Sequence, residues 1–263
     1  MNVGSLTVVE GIGVLEIDSP PVNALGVNVR RALIEGYETF ASDPAVKAIV
    51  MICGGRTFFA GADISEFGKP PQEPGLLPLF GTIEASEKPF IAAIHGTALG
   101  GGYELALVCH YRIAVPSAKV GLPEVNLGLL PGAGGTQRLP RIVGPEAALD
   151  LMTTGRPVPA PQALELGMID KLAEEGRLRE DAIAYARHIV AEGLPLQRVR
   201  AEVGLPCGRR RMRKQELPRR AGVGAAGEAA VQARHADGLR PLDGRQDGHL
   251  SVVPAACMRR FAG

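Results

Sequence analysis

An α/β fold on a largely parallel sheet is what this sequence predicts, and three observations predict it. Two short, wholly apolar runs, Ala48–Ile52 and residues 90–94 (Phe-Ile-Ala-Ala-Ile), read as strands covered on both faces. Each runs into glycines, Gly54-Gly55 after the first and Gly96 followed by Gly100-Gly101-Gly102 after the second. Amphipathic helical stretches alternate with them, the order in which βα units are built.

Taken along the chain, Thr7–Ile17 alternates weakly around Gly11 and Gly13 and predicts a β-hairpin, which Pro20-Pro21 terminates. From Val27 to Phe40, the residues Val29, Leu33, Tyr37 and Phe40 recur at three- and four-residue steps, giving a helix with one apolar face that stops near Asp43-Pro44. The two apolar strands follow, and Leu105–Cys109 continues a helix opened by three glycines. Beyond Gly144 the pattern predicts helices over 145–153, 160–166 and 177–191, with a short strand at Met168–Asp170. In the last helix Leu178, Ile183 or Ala182, Ala186 and Ile189 form a single stripe.

Composition narrows the class. A chain of 263 residues suits one large domain or two small ones, and 46% apolar with 22% charged residues is ordinary for a globular protein. Trp is absent and aromatics reach only 4%, so the core must be aliphatic. The four cysteines form no CxxC pair, which argues against a structural zinc site and a disulfide framework. No apolar run reaches about 18 residues and no basic-then-apolar leader opens the chain, so it is read as cytoplasmic, with no membrane partner.

The net charge of +1 conceals two unlike parts. Residues 1–200 hold 17 basic and 22 acidic side chains, net −5, while residues 201–263 hold 12 and 6, net +6. In the second part Arg, Ala, Gly and Pro make up 35 of 63 residues; Ile, Leu, Val and Phe together supply only 11, too few for a packed core. The expected division is a folded domain over 1–198 and an atypical basic tail over 199–263, disordered or read from a shifted frame of a GC-rich gene. A nucleic-acid-binding or acidic-partner-binding arm around Arg209–Arg220 is the lesser reading, because no aromatics interleave with the charges.

Three segments carry candidate chemistry. In Phe59-Ala60-Gly61-Ala62-Asp63-Ile64, Asp63 with Glu66 three residues on has the form of a capping box, which would leave backbone amides pointing outward. An ordinary strand-to-helix turn would look the same. In Gly100-Gly101-Gly102-Tyr103-Glu104, the first amides of the helix lack intrahelical acceptors, and Glu104 lies on the same face as Gly101. One turn thus offers an oxyanion donor and a carboxylate; a glycine turn made for close packing, with a solvated glutamate, is the competing reading. In Gly121-Leu-Pro-Glu124, ahead of Pro131-Gly132-Ala-Gly-Gly135, a carboxylate flanked by apolar residues either finds partners or has its pKa raised into the range of a general acid. His95 and His110 sit beside apolar runs and are read as structural.

In this order the segments FFAGADISEF, AAIHGTALGGGYELAL and KVGLPEVNLGLLPGAGGTQRLPRIVG resemble the crotonase (enoyl-CoA hydratase/isomerase) superfamily over about residues 8–198. With His110-Tyr-Arg-Ile-Ala114, the chain is similar to the hydratase half of multifunctional fatty-acid β-oxidation proteins. The resemblance implies a spiral of ββα units with a C-terminal helical region that completes the acyl pocket and the trimer contacts. It implies an oxyanion hole from the Ala62 and Gly101 amides, and catalytic Glu104 and Glu124. It places Gly132 at the water and acyl site, and the Ala60, Asp63 and Ile64 backbone beside the coenzyme A arm. The implied substrate is a 2-enoyl-CoA, with no metal and no cofactor beyond the coenzyme A of the substrate, in a homotrimer or hexamer. Rival readings are a Δ3-Δ2 enoyl-CoA isomerase or another crotonase-type enzyme, and an acyl-CoA-binding protein left inactive by loss of its C-terminal helices.

Overall fold

The computed structural model describes residues 3–199, and all of the tail expected to be atypical except Val199 lies outside the described residues. Strands β1 (Gly4–Val9) and β2 (Ile12–Ile17) form the N-terminal hairpin. Its turn is Glu10-Gly11, both at positive φ, while Gly13 is inside β2, where a methyl group would come within 2.8 Å of the Phe40 ring. Helix α1 (Val27–Ser42) buries Val29, Leu33 and Phe40, the face its periodicity marked. Strand β3 (Ala48–Cys53) is buried at every residue. Helix α2 (Leu76–Glu84) has no counterpart in the sequence reading: Pro78 and Gly81 interrupt its helical character, and Leu79, Phe80 and Ile83 reach the core only because tertiary packing selects that face.

Strand β4 (Phe90–Ile94) is wholly buried, and the short β5 (Thr97–Leu99) leads into α3 (Gly101–Val108), buried along its entire length. Then come β6 (Tyr111–Ala114) and β7 (Lys119–Gly121), α4 (Gly135–Val143) and α5 (Pro145–Thr154). The described chain closes with β8 (Val158–Pro159), α6 (Ala160–Glu165), β9 (Lys171–Leu172) and α7 (Leu178–Ala191). Helix α7 buries Leu178, Ala182, Ala186 and Ile189, so that of the two residues offered for the second position of the stripe Ala182 takes it and Ile183 is only partly buried.

Six strands form one sheet in the order β1-β2-β3-β4-β6-β9, parallel from β2 onward, and β5-β7-β8 form a second sheet. The strand expected at Met168–Asp170 is instead a turn, with the two-residue β9 just beyond it. Asp170 is taken up by Arg112: its carboxylate accepts the Arg112 amide at 2.8 Å and pairs with the guanidinium at 2.9 Å. The Tyr103 hydroxyl donates to the Met168 carbonyl at 3.0 Å. The Tyr103 bond ties α3, and the Asp170 bonds tie β6, to the segment just before β9.

Among the described residues no helix is long and apolar enough to cross a membrane.

Candidate active site

Backbone contacts hold the FFAGAD segment between residues 22–25 and the glycine turn that opens α3. The Leu99 amide donates to the Phe59 carbonyl at 3.1 Å, and the Ala60 amide is taken by Val22 at 3.2 Å. A methyl group on Gly102 would sit 2.0 Å from the Phe59 carbonyl oxygen, so only glycine permits the approach. Leu25 donates to the Gly61 carbonyl at 2.9 Å. In a trans peptide the carbonyl and the following N–H point in opposite directions, so this bond turns the Ala62 amide away from Leu25. Gly61 reaches that orientation at φ +136. The Ala62 nitrogen lies 3.2 Å from the position a Gly101 methyl would occupy, and neither the Ala62 nor the Gly101 amide has an acceptor among the described residues. Two free donors therefore lie side by side, the Gly101 donor at the positive end of α3.

The expected capping box at Asp63 and Glu66 is not what forms. Asp63 accepts from the Ser65 amide at 2.9 Å at the head of a one-turn 3-10 helix, Ile64–Glu66. Glu66 reaches across to α1 instead, accepting the Val27 amide and pairing with Arg30, both at 2.7 Å. Arg30 is buried and also donates to the Gln72 and Pro74 carbonyls, so the loop after Phe67 is tied to α1. Ala60 and Asp63 are half-buried and Ile64 is exposed, on the stretch flanking the free amides.

Glu104 is 2% exposed, which excludes the solvated-glutamate reading. Its Oε1 accepts the Ala133 amide at 2.8 Å and the Gly135 amide at 2.7 Å. Burial raises its pKa, and those two amides, with the Arg138 charge after them, offset only part of the rise. Glu124 opens a 3-10 helix, Glu124–Leu127, closed by Gly128 in the left-handed region. The Gly100 amide donates to the Gly121 carbonyl at 2.9 Å, joining this segment to the glycine turn, and Glu124 Oε1 lies 3.3 Å from where a Gly100 methyl would stand. Its Oε2 is buried with no hydrogen-bond partner. Burial, with the Glu104 charge adding to it, pushes the Glu124 carboxyl up to about 7 despite its own amide.

The two glutamates and two free amides, distant in sequence, thus converge on the start of α3. Gly132 lines a cleft of about 230 Å³ with Leu77, Phe80, Pro131 and Ala133, the wall of which is the loop that donates to Glu104. A larger opening of about 530 Å³ beside Cys53, Arg56, His95 and Glu175 contains none of the candidate residues. His110 is fully buried, its Nδ1 accepting the Phe90 amide at 3.0 Å, and the half-buried His95 lies 3.2 Å from the Gly55 carbonyl, both as structural side chains do.

A family model for enoyl-CoA hydratase/isomerase matches residues 7–206. The chain belongs to the enoyl-CoA hydratase/isomerase family. It is 52% identical to a peroxisomal bifunctional enzyme of Danio rerio over 198 residues, 74% of this chain but 27% of that protein. The chain spans about a quarter of the length of the bifunctional relatives it matches. A probable enoyl-CoA hydratase of Bacillus subtilis is 46% identical over 71% of this chain and 75% of its own length. A crystal structure of enoyl-CoA hydratase from Bacillus anthracis superposes with a TM-score of 0.67 at 32% identity, covering 72% of this chain and 76% of that one. The crotonase fold expected from the motifs is therefore the fold this family member adopts.

Within that family frame, sequence reasoning missed the pair Glu84 and Arg138. Arg138 Nε and Nη2 donate to the Glu84 carboxylate at 3.1 and 2.7 Å, and Nη1 donates to the Ala133 carbonyl at 3.1 Å. Nothing local announces a pairing across 54 positions; the one available signal was an arginine one turn beyond the glycine cluster 132–135.

Proposed function

We propose that the chain hydrates 2-enoyl-CoA thioesters, in the manner of the hydratase step of fatty-acid β-oxidation. The observation that supports this most is the unequal treatment of two converging carboxylates. Glu104 is held by two amide donors that favour its anion. Glu124 has an orphaned oxygen and a carboxyl pushed up to about 7, which favours a bound proton. Such a division assigns a base and an acid to the two groups.

The thioester oxygen accepts from the Ala62 and Gly101 amides, and Ala60, Asp63 and Ile64 flank the coenzyme A arm. Glu104 takes a proton from water as the water oxygen bonds to Cβ, and the electron pair of the double bond moves toward the thioester oxygen. Charge collects there as an enolate, where each preorganised donor contributes roughly 10²–10³ in rate. Glu124 gives its proton to Cα, restoring the thioester carbonyl. One proton leaves water and one arrives at carbon, and the exchange of solvent protons between Glu104 and Glu124 resets the pair. Gly132 borders the water and the acyl chain. No metal or second cofactor enters these steps; coenzyme A arrives with the substrate.

The full chain should hydrate crotonyl-CoA much faster than it isomerises a 3-enoyl-CoA. Isomerisation with negligible hydration contradicts the proposal in favour of an isomerase. Thermal stabilisation by acetoacetyl-CoA without turnover of either substrate contradicts it in favour of an acyl-CoA-binding protein.

A further inference from the structure

Arg138 and Glu84 are 3% and 8% exposed, and they form a two-pronged ion pair between α4 and α2. A buried pair of this kind adds little net stability over apolar side chains of the same size, so its geometry is the informative feature. The third arm of the guanidinium grips the Ala133 carbonyl, and the Ala133 amide, one peptide earlier, donates to Glu104. Gly134 stands between the two donors at φ +103, and a methyl group there would lie 2.1 Å from Arg138 Nη1. The guanidinium thus occupies the space a side chain would take, and loop and arginine interlock. Glu84 is fixed in turn: Arg198 donates to the Glu84 and Ser86 carbonyls at 3.0 and 2.8 Å.

We propose that the Glu84–Arg138 ion pair positions Glu104, by holding the 133–135 loop so that two of its amides converge on one carboxylate oxygen. The proposal rests on Glu104 being the base; Arg138 itself acts through the loop and not on the substrate. The groups bearing on Glu104 are the Gly135 and Ala133 amides, the Arg138 charge and, across the site, Glu124. Beside Glu84 lies His110, pushed down to about 4 mainly by burial and so uncharged near neutrality. Arg138 is therefore the cation that Glu84 orients. Losing the guanidinium removes both a nearby positive charge and the support of two donors, and both losses disfavour the Glu104 anion.

The test uses the full chain with two variants. The double substitution Glu84→Gln with Arg138→Met removes the pair without leaving a lone buried charge, and Arg138→Lys keeps the charge but not the three-way grip. Melting curves establish that each variant folds. Steady-state hydration of crotonyl-CoA and ¹³C titration of the Glu104 carboxyl, assigned with Glu104→Gln, supply the readouts. In the double variant kcat should fall about tenfold to a hundredfold, the effect of a misplaced catalytic group, with KM little changed. The Glu104 carboxyl should titrate at higher pH, and Arg138→Lys should lie between it and the unaltered chain. A folded double variant with unaltered kcat and unmoved titration overturns the proposal; if it does not fold, the same result in Arg138→Lys does so. Should the unaltered chain show no hydration while the Glu104 titration still moves in the variants, the positioning role stands and the hydratase reading falls.

Discussion

Glu104 lies in the first turn of an eight-residue helix buried throughout, and gives one oxygen to two amides of another loop. Glu124 opens a four-residue 3-10 turn in which Val125 and Leu127 are exposed, and leaves one buried oxygen without a partner. Both carboxyls are desolvated by burial, but Glu104 gains two amides and a nearby cation, where Glu124 has its own amide and faces a like charge. The contrast teaches that in this site the surroundings, more than depth of burial, set which carboxylate keeps its proton: the more deeply buried Glu104 is the one whose anion is supported.

The largest test of that contrast is Glu104→Gln, which removes the base while keeping the volume and should lower kcat for crotonyl-CoA about 10²–10⁴-fold. Its melting temperature should stay near that of the unaltered chain, which shows that the loss is chemical. Replacing the amide that joins Gly61 to Ala62 with an ester removes a single donor. That should reduce kcat by roughly 10²–10³ and leave the acid and alkaline limbs of the pH profile where they were.

The pH dependence separates the two carboxyls by sign. The base must be ionised, so kcat/KM should fall as pH drops through the Glu104 value; the acid must be protonated, so it should also fall as pH rises past about 7, the Glu124 value. In Glu124→Gln the alkaline limb should vanish while the acid limb remains. The smallest effect is expected at Gly128, at φ +69 with nothing within 4 Å of an added methyl group. Gly128→Ala carries only the backbone penalty, about 1–2 kcal/mol. It should lower the melting temperature by a few degrees and perturb the alkaline limb through Glu124, leaving the acid limb in place.

How much of this was legible in the sequence differs from element to element. β3 and β4 could be read because strands covered on both faces are apolar at every position, and α1 and α7 because each keeps one apolar stripe. α2 could not, with Pro78 and Gly81 inside it, nor could the second sheet, whose strands are two or three residues long. Gly101 and Glu104 stand out through glycine and carboxylate spacing and Glu124 through its apolar flanks, whereas Ala62 is named only by the family resemblance that the order of the three motifs carries. Glu66 resembled half of a capping box but binds α1, because a three-residue spacing does not show which of two nearby helices a carboxylate will reach. The Glu84–Arg138 pair is a tertiary contact, and local pattern carries no trace of it.

The division of labour between the two glutamates is tested most directly by ¹³C titration of both carboxyls in the unaltered full chain, each assigned by its glutamine variant. Glu124 should titrate near 7 and Glu104 at lower pH, so that a protonated acid faces an ionised base. A Glu104 carboxyl that holds its proton to higher pH than Glu124 would contradict that division.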